Sequence, residues 1–143
     1  MLAPDFSPFG DMPIVMQAWN HYRKHWCARF WQENGLTVIP TIRSSTDPRS
    51  FEFFLEGEPT GGIVAFSSMW ATLVMDDLKK EFDAMVTGLQ PVKILVYGKT
   101  YDFMDTYGVP IERIPDFSET RKENRLKREA EGPEQVAENK ISQ

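Results

Sequence analysis

Cysteine is nearly absent: Cys27 is the single one in 143 residues, which excludes a disulfide within the chain and suits a reducing compartment. Its place in an aromatic helical segment predicts a buried thiol rather than a nucleophile. Long hydrophobic runs are missing too, so no membrane-spanning helix is expected. The opening residues MLAPDFSPFG carry neither the basic start nor the continuous apolar stretch of a secretion signal, and the expectation is a soluble intracellular protein. Positive charge is in deficit. At a net −5 the chain repels a polyanion, which argues against a generic nucleic-acid-coating protein. The sequence shows no internal repeat, and its length suffices for one core rather than two.

Aromatic side chains, by contrast, are plentiful, with three Trp in the thirteen residues from Trp19 to Trp31. They lie in Asp11–Gly35, which has the punctuation of a helix. Asp11 is placed to accept from first-turn amides, Pro13 sits where a missing N–H costs nothing, and Asn34-Gly35 is the stop. Ile14, Ala18, Trp19, Tyr22, Trp26 and Phe30 recur at three- and four-residue steps, so this stripe is expected to face a core. A base-stacking platform is the less favoured use of the same aromatics. Gln17, His21, Arg23, Lys24, His25 and Arg29 are left for the remaining surface.

Strand and helix patterns then alternate. Leu36–Ile42 is rich in β-branched residues and reads as a strand whose far end, at Pro40, lies at an edge. Asp47-Pro48 starts a short helix that runs to Gly57 with Phe51, Phe54 and Leu55 on one side. Ile63–Ser67 is a continuous apolar run, the mark of a strand covered on both faces. A helix between Ser68 and Gly88 carries Leu78, Phe82, Met85, Val86 and Leu89, and Pro91 forbids its continuation. A third strand at Ile94–Tyr97, a minor helix near Tyr101–Tyr107 and a last strand near Ile111–Ile114 complete the pattern. Such alternation predicts a small three-layer α/β domain over residues 1–117, a mainly parallel sheet flanked by helices. Residues 118–143 change character. Six basic and six acidic residues surround three larger aliphatics, predicting a charged tail, either disordered or a helix ordered by a partner.

Local chemistry motifs are weak. His21 and His25 are spaced like the ligands of a helical zinc site, but Tyr22, Arg23 and Lys24 stand between them, and the expectation is no metal. Gly98-Lys99-Thr100 ends a strand as a phosphate-binding loop does, yet the earlier glycine of that loop is replaced by Lys93. Topology offers a better candidate. Ligands of open parallel sheets bind beyond the carboxyl ends of the strands, a rim that would gather Arg43, Ser44, Ser45, Ser67, Ser68, Lys99 and Thr100 around an anion. Glu52, Glu56 and Glu58, with Asp76, Asp77, Glu81 and Asp83, read as solvated acidic faces.

The runs DFSPFGDMP, QAWNHYRKHW, FWQENGLTVIPTI and, more loosely, ILVYG resemble the bacteriophage and plasmid family known as domain of unknown function 4417, over about Asp5 to Ile114. The resemblance implies a phage or mobile-element setting and brings no catalytic residues with it. It does imply that Asp5, Ser7, Asp11, Gln17, Asn20, Tyr22 and Arg23 matter as a set. The leading expectation is a non-enzymatic accessory protein acting in the host cytoplasm, with no cofactor, that binds a host or element-encoded protein of the counter-defence or replication kind. The alternative is a protein or enzyme that binds phosphate, nucleotide or nucleic acid at the strand ends. Nucleic acid is not favoured as a partner, and no membrane is expected.

Overall fold

A computed structural model describes residues 1–69 and 75–138. The stretch ahead of the second long helix, with Trp70, and the chain end with Ile141 lie outside the described residues. In chain order the elements are helix α1 (Ile14–Glu33), strand β1 (Thr41–Ile42), a 3-10 helix (Pro48–Glu52), β2 (Ile63–Ser67), α2 (Met75–Leu89), β3 (Lys93–Tyr97), α3 (Asp102–Asp105), β4 (Ile111–Ile114) and α4 (Phe117–Glu138). The expected alternation holds, and the four strands form one parallel sheet in the order β1-β2-β3-β4, flanked by helices.

Consecutive order has a consequence for the core. Right-handed crossovers that always step the same way across a sheet return on the same face. The register agrees, because Ile42 lies opposite Phe66, Phe66 opposite Val96 and Val64 opposite Ile94, so all five share one face. That face packs against Phe54 beyond the 3-10 helix, Leu78, Phe82, Met85 and Leu89 of α2, and Met104 of α3. Phe82 is the hub, edge-on to Phe66, Phe103 and Tyr107 at 5.3, 5.7 and 5.4 Å. The opposite face, with Thr41, Ala65, Ser67 and Tyr97, has the N-terminal strand-like segment beside it. Leu2 bridges Ile39, and Ala3 N–H donates to Ile39 O at 2.8 Å.

Several local expectations need adjusting. Asp47 does cap the 3-10 helix, accepting from Arg49 N–H at 3.0 Å, whereas Asp11 does not cap α1: Pro13 holds that position without a side-chain bond. β1 is two residues long instead of seven, since Pro40 contributes only its carbonyl, which accepts from Ala65 N–H at 2.8 Å. Gly35 ends α1 at φ +80°, as a left-handed terminator should. The C-terminal segment continues as α4, with the side chains described along it largely exposed. Among the described residues no helix is long and apolar enough to cross a membrane.

Candidate functional site

The largest departure from expectation is the orientation of α1. Its buried residues are Gln17, Asn20 and Lys24, while Trp19, Tyr22, Trp26 and Phe30 are 52, 57, 59 and 52% exposed. The aromatic stripe therefore points outward, correcting the expected core-facing role. The cause lies in what the helix docks against. α1 meets the polar loops after β1 and the 3-10 helix, where free backbone groups need partners that an apolar stripe cannot give. Lys24 ammonium donates to Thr41 O at 2.9 Å and pairs with Glu58; Gln17 amide donates to Met12 O at 2.9 Å, and Gln17 Oε1 accepts from the Ser45 hydroxyl at 2.7 Å. Cys27, expected buried, is half-buried.

Outward, the rings associate with one another. Trp19 stacks on Tyr22 at 5.4 Å, and Trp26 lies nearly parallel to Phe30 at 5.9 Å. At about half exposure each, these four side chains present roughly 450 Å² of aromatic surface, the size of the largest apolar patch of a typical monomer, which is often functional. Val15 and Met16 extend it.

The second feature is the rim where β1 and β2 end. Arg43 donates to Ser67 O at 3.1 Å and lines two cavities there. One, of about 420 Å³, is bounded by Asp5, Ser7, Thr41, Ser67 and Tyr97. Thr41 contributes a buried hydroxyl with no hydrogen-bond partner. The other, of about 330 Å³, is bounded by Asp11, Ser44, Ser45, Asp77 and Glu81. Glu81 is the surprise. It is buried, it accepts from Ser44 N–H, and burial pushes its carboxyl up to about 7, against the opposing pull of Arg43 and with a smaller push from Asp5. The reading of Glu81 as part of a solvated acidic face is thus corrected, and so is that of Glu58, which is buried against Lys24. A signal for Glu81 was available, since it lies three residues after Leu78 and four before Met85, within the buried stripe of α2.

Around Arg43 the structure assembles much of what the sequence singled out. Asp5, Ser7, Asp11, Ser44, Ser45 and Ser67 line its cavities, and Gln17 and Asn20 tie the N-terminal loop to α1, with Asn20 donating to Ser7 O at 3.4 Å. Arg23 turns its guanidinium onto the Phe6 ring, 3.9 Å from the centroid. Tyr22 stands apart, on the aromatic side of α1. Ser68 is buried with its hydroxyl on Tyr97 O at 3.3 Å, and exposed Lys99 and Thr100 line neither cavity. As chemistry, the rim offers a guanidinium already faced by two carboxyls, Glu81 and Asp5, and one of these holds a proton near neutrality. That balance leaves little net positive charge for an anion.

Comparison with known proteins adds the following. The family described as "Domain of unknown function (DUF4417)" matches residues 1–117. The "Gene 1 protein" of Mycobacterium phage L5 is 35% identical over 124 residues, covering 85% of this chain and 54% of that protein. The "Gene 1 protein" of Mycobacterium phage D29 is 34% identical over 125 residues, covering 85% and 46%. The chain thus spans about half the length of these curated relatives. No solved structure gives a significant match.

Proposed function

The chain belongs to the DUF4417 family, and from that premise we propose that it is a phage or mobile-element accessory protein that acts in the host cytoplasm by binding another protein, host- or element-encoded, through the aromatic side of α1. The observation that carries this reading is the inverted helix: its polar side is spent on the fold and its Trp, Tyr and Phe side is left to solvent. Trp and Tyr are the residues that most often dominate binding energy when seated in a partner's pocket. Val15, Trp19, Tyr22, Trp26 and Phe30 fall at the steps by which a helix anchors in an apolar groove, so the partner is a protein offering such a groove. Stacked bases suit the face less well, because the rings already cover one another and the chain is net negative.

The test compares wild type with Trp19→Ser/Trp26→Ser as bait in lysate of phage-carrying host cells, followed by titration of the purified pair. We expect a partner retained by the wild type and lost by the double variant, while circular dichroism and Tm stay the same. Retention by both, or failure of the purified wild-type pair to associate, overturns the reading. A second reading, an anion or nucleotide held at the strand ends, draws on the two cavities beside Arg43. It predicts a nucleotide-dependent rise in Tm that Arg43→Ala reduces, since only a ligand of the folded state raises it.

A further inference from the structure

Both histidines of the chain meet at one place. The Nε2 atoms of His21 and His25 are 3.1 Å apart, His25 Nε2 is 3.4 Å from Glu58 Oε1, and His21 Nε2 is 2.8 Å from Glu56 O. One ligand atom from each of His21, His25 and Glu58 lies within 4.8 Å of the other two. Glu56 O can only accept, so His21 Nε2 carries hydrogen towards it in the metal-free protein, while His25 Nε2 has the His21 nitrogen at 3.1 Å and the Glu58 carboxylate at 3.4 Å as neighbours. Two imidazole nitrogens, a carboxylate oxygen and a carbonyl oxygen thus converge on one place.

We infer that His21, His25 and Glu58, with the Glu56 carbonyl as a fourth oxygen, form a binding site for one divalent transition-metal ion of the zinc class. Metal–ligand distances of about 2.0–2.1 Å with tetrahedral angles place ligand atoms about 3.3 Å apart. The 3.1 and 3.4 Å separations lie close to that value before any ion enters, and the 2.8 Å between His21 Nε2 and Glu56 O has to widen by about 0.5 Å. Two imidazoles with a carboxylate select zinc, cobalt or nickel over calcium and magnesium, which take oxygen. Burial lowers the pKa of both imidazoles, with the Lys24 ammonium adding to the effect, so they are neutral and ready to bind at pH 7.

Two cations next to these histidines in sequence argue against a metal, and the structure changes one of them. Arg23 faces Phe6 and takes no part. Lys24 does remain, bonded to Glu58 Oε1 and Thr41 O, on the side of the carboxylate that meets the sheet edge. It holds the carboxylate in place, and its charge weakens the site relative to one without it. Access comes through a cavity of about 220 Å³ beside the site, bounded by His25, Arg29, Pro40, Gly57, Glu58 and Pro59. Gly57, at φ +75° and placed so that an added Cβ would lie 3.5 Å from the His25 ring, is the bend that precedes Glu58. A bound ion would clip α1 to residues 56–58, and this inference stands or falls independently of the partner reading, whose residues lie on the aromatic side of the helix.

The experiment titrates metal-free protein with Co²⁺ and reads the visible d–d absorption of a four-coordinate ion, then repeats the titration by calorimetry with Zn²⁺, Ca²⁺ and Mg²⁺. We expect one equivalent of Co²⁺ or Zn²⁺, a rise in Tm with Zn²⁺, and no comparable response to Ca²⁺ or Mg²⁺. His25→Ala and Glu58→Gln should each weaken Co²⁺ binding at least tenfold, whereas Cys27→Ser, which removes the lone thiol, should leave it unchanged. His25 is partly exposed, so His25→Gln serves as a second variant if another fails to fold. Binding that survives His25→Gln in a folded protein, or that disappears with Cys27→Ser, overturns the inference, as does the absence of stoichiometric Co²⁺ binding.

Discussion

Replacing Glu81 with Gln should change how stability depends on pH. The variant keeps an oxygen to accept from Ser44 N–H and removes the ionisation. In the wild type the carboxyl titrates near 4.5 in the unfolded chain and about 7 in the folded one, chiefly because burial disfavours its charge. Below pH 4.5 both states carry the proton and the group costs nothing. Between about 4.5 and 7 the unfolded chain releases its proton while the folded one retains it, so stability falls as pH rises. Above about 7 the deficit is constant at about 3 kcal/mol, the free energy equivalent of the two pKa values. Urea unfolding of both proteins from pH 4 to 8 supplies the test. The stability of Glu81→Gln relative to wild type should start near zero and grow to about 3 kcal/mol, or roughly 10 °C in Tm for a domain of this size. His21 and His25 act with the opposite sign, because their lowered pKa values give stability that is present above about 6.5 and lost as pH falls, but they act in both proteins and cancel. A difference that stays flat across the range would refute the argument that Glu81 is held protonated by its surroundings.

Other perturbations follow from the same contacts. Phe82→Ala empties the centre of the core and should cost about 3–5 kcal/mol by urea unfolding; a loss under 1 kcal/mol would mean that Phe82 is not the hub the ring contacts describe. Lys24→Met strips Glu58 of its counter-charge and should destabilise by about 3 kcal/mol at pH 7, with the loss shrinking towards pH 4 as Glu58, whose pKa burial already raises, takes up a proton. Equal losses at both pH values would contradict this. Gly98→Ala forces a side chain into φ +108°, with its Cβ 2.8 Å from Ser68 Oγ, and should cost about 1–2 kcal/mol in Tm measurements, whereas a neutral result would count against the turn geometry.

The sheet was legible because its strands are written in local pattern. Val64, Ala65 and Phe66 are apolar and buried in succession since β2 is covered on both sides there, and β3 alternates between buried Ile94 and Val96 and half-buried Leu95 and Tyr97. α2 could be read from Leu78, Phe82, Met85 and Leu89 and from Pro91 beyond its end. The rim was legible in part: topology brought Arg43, Ser44 and Ser67 together, but Lys99 and Thr100 lie outside the cavities around Arg43. Glu81 was missed because its charge was given more weight than its place on the stripe. Glu58 was missed because its partners, Lys24 and His25, are more than thirty residues away.

α1 separates the two levels most clearly. Its amino acids alone determined that a helix forms, where it stops and that one side is aromatic and the other polar, because a terminal glycine and three-and-four spacing are local matters. Which side turns inward was decided only when β1, the 3-10 helix and the N-terminal loop came together and presented backbone carbonyls and hydroxyls instead of an apolar surface. Buried polar groups must find partners, and Gln17, Asn20 and Lys24 are the residues of α1 that provide them. The aromatic side, spared that duty, faces the solvent.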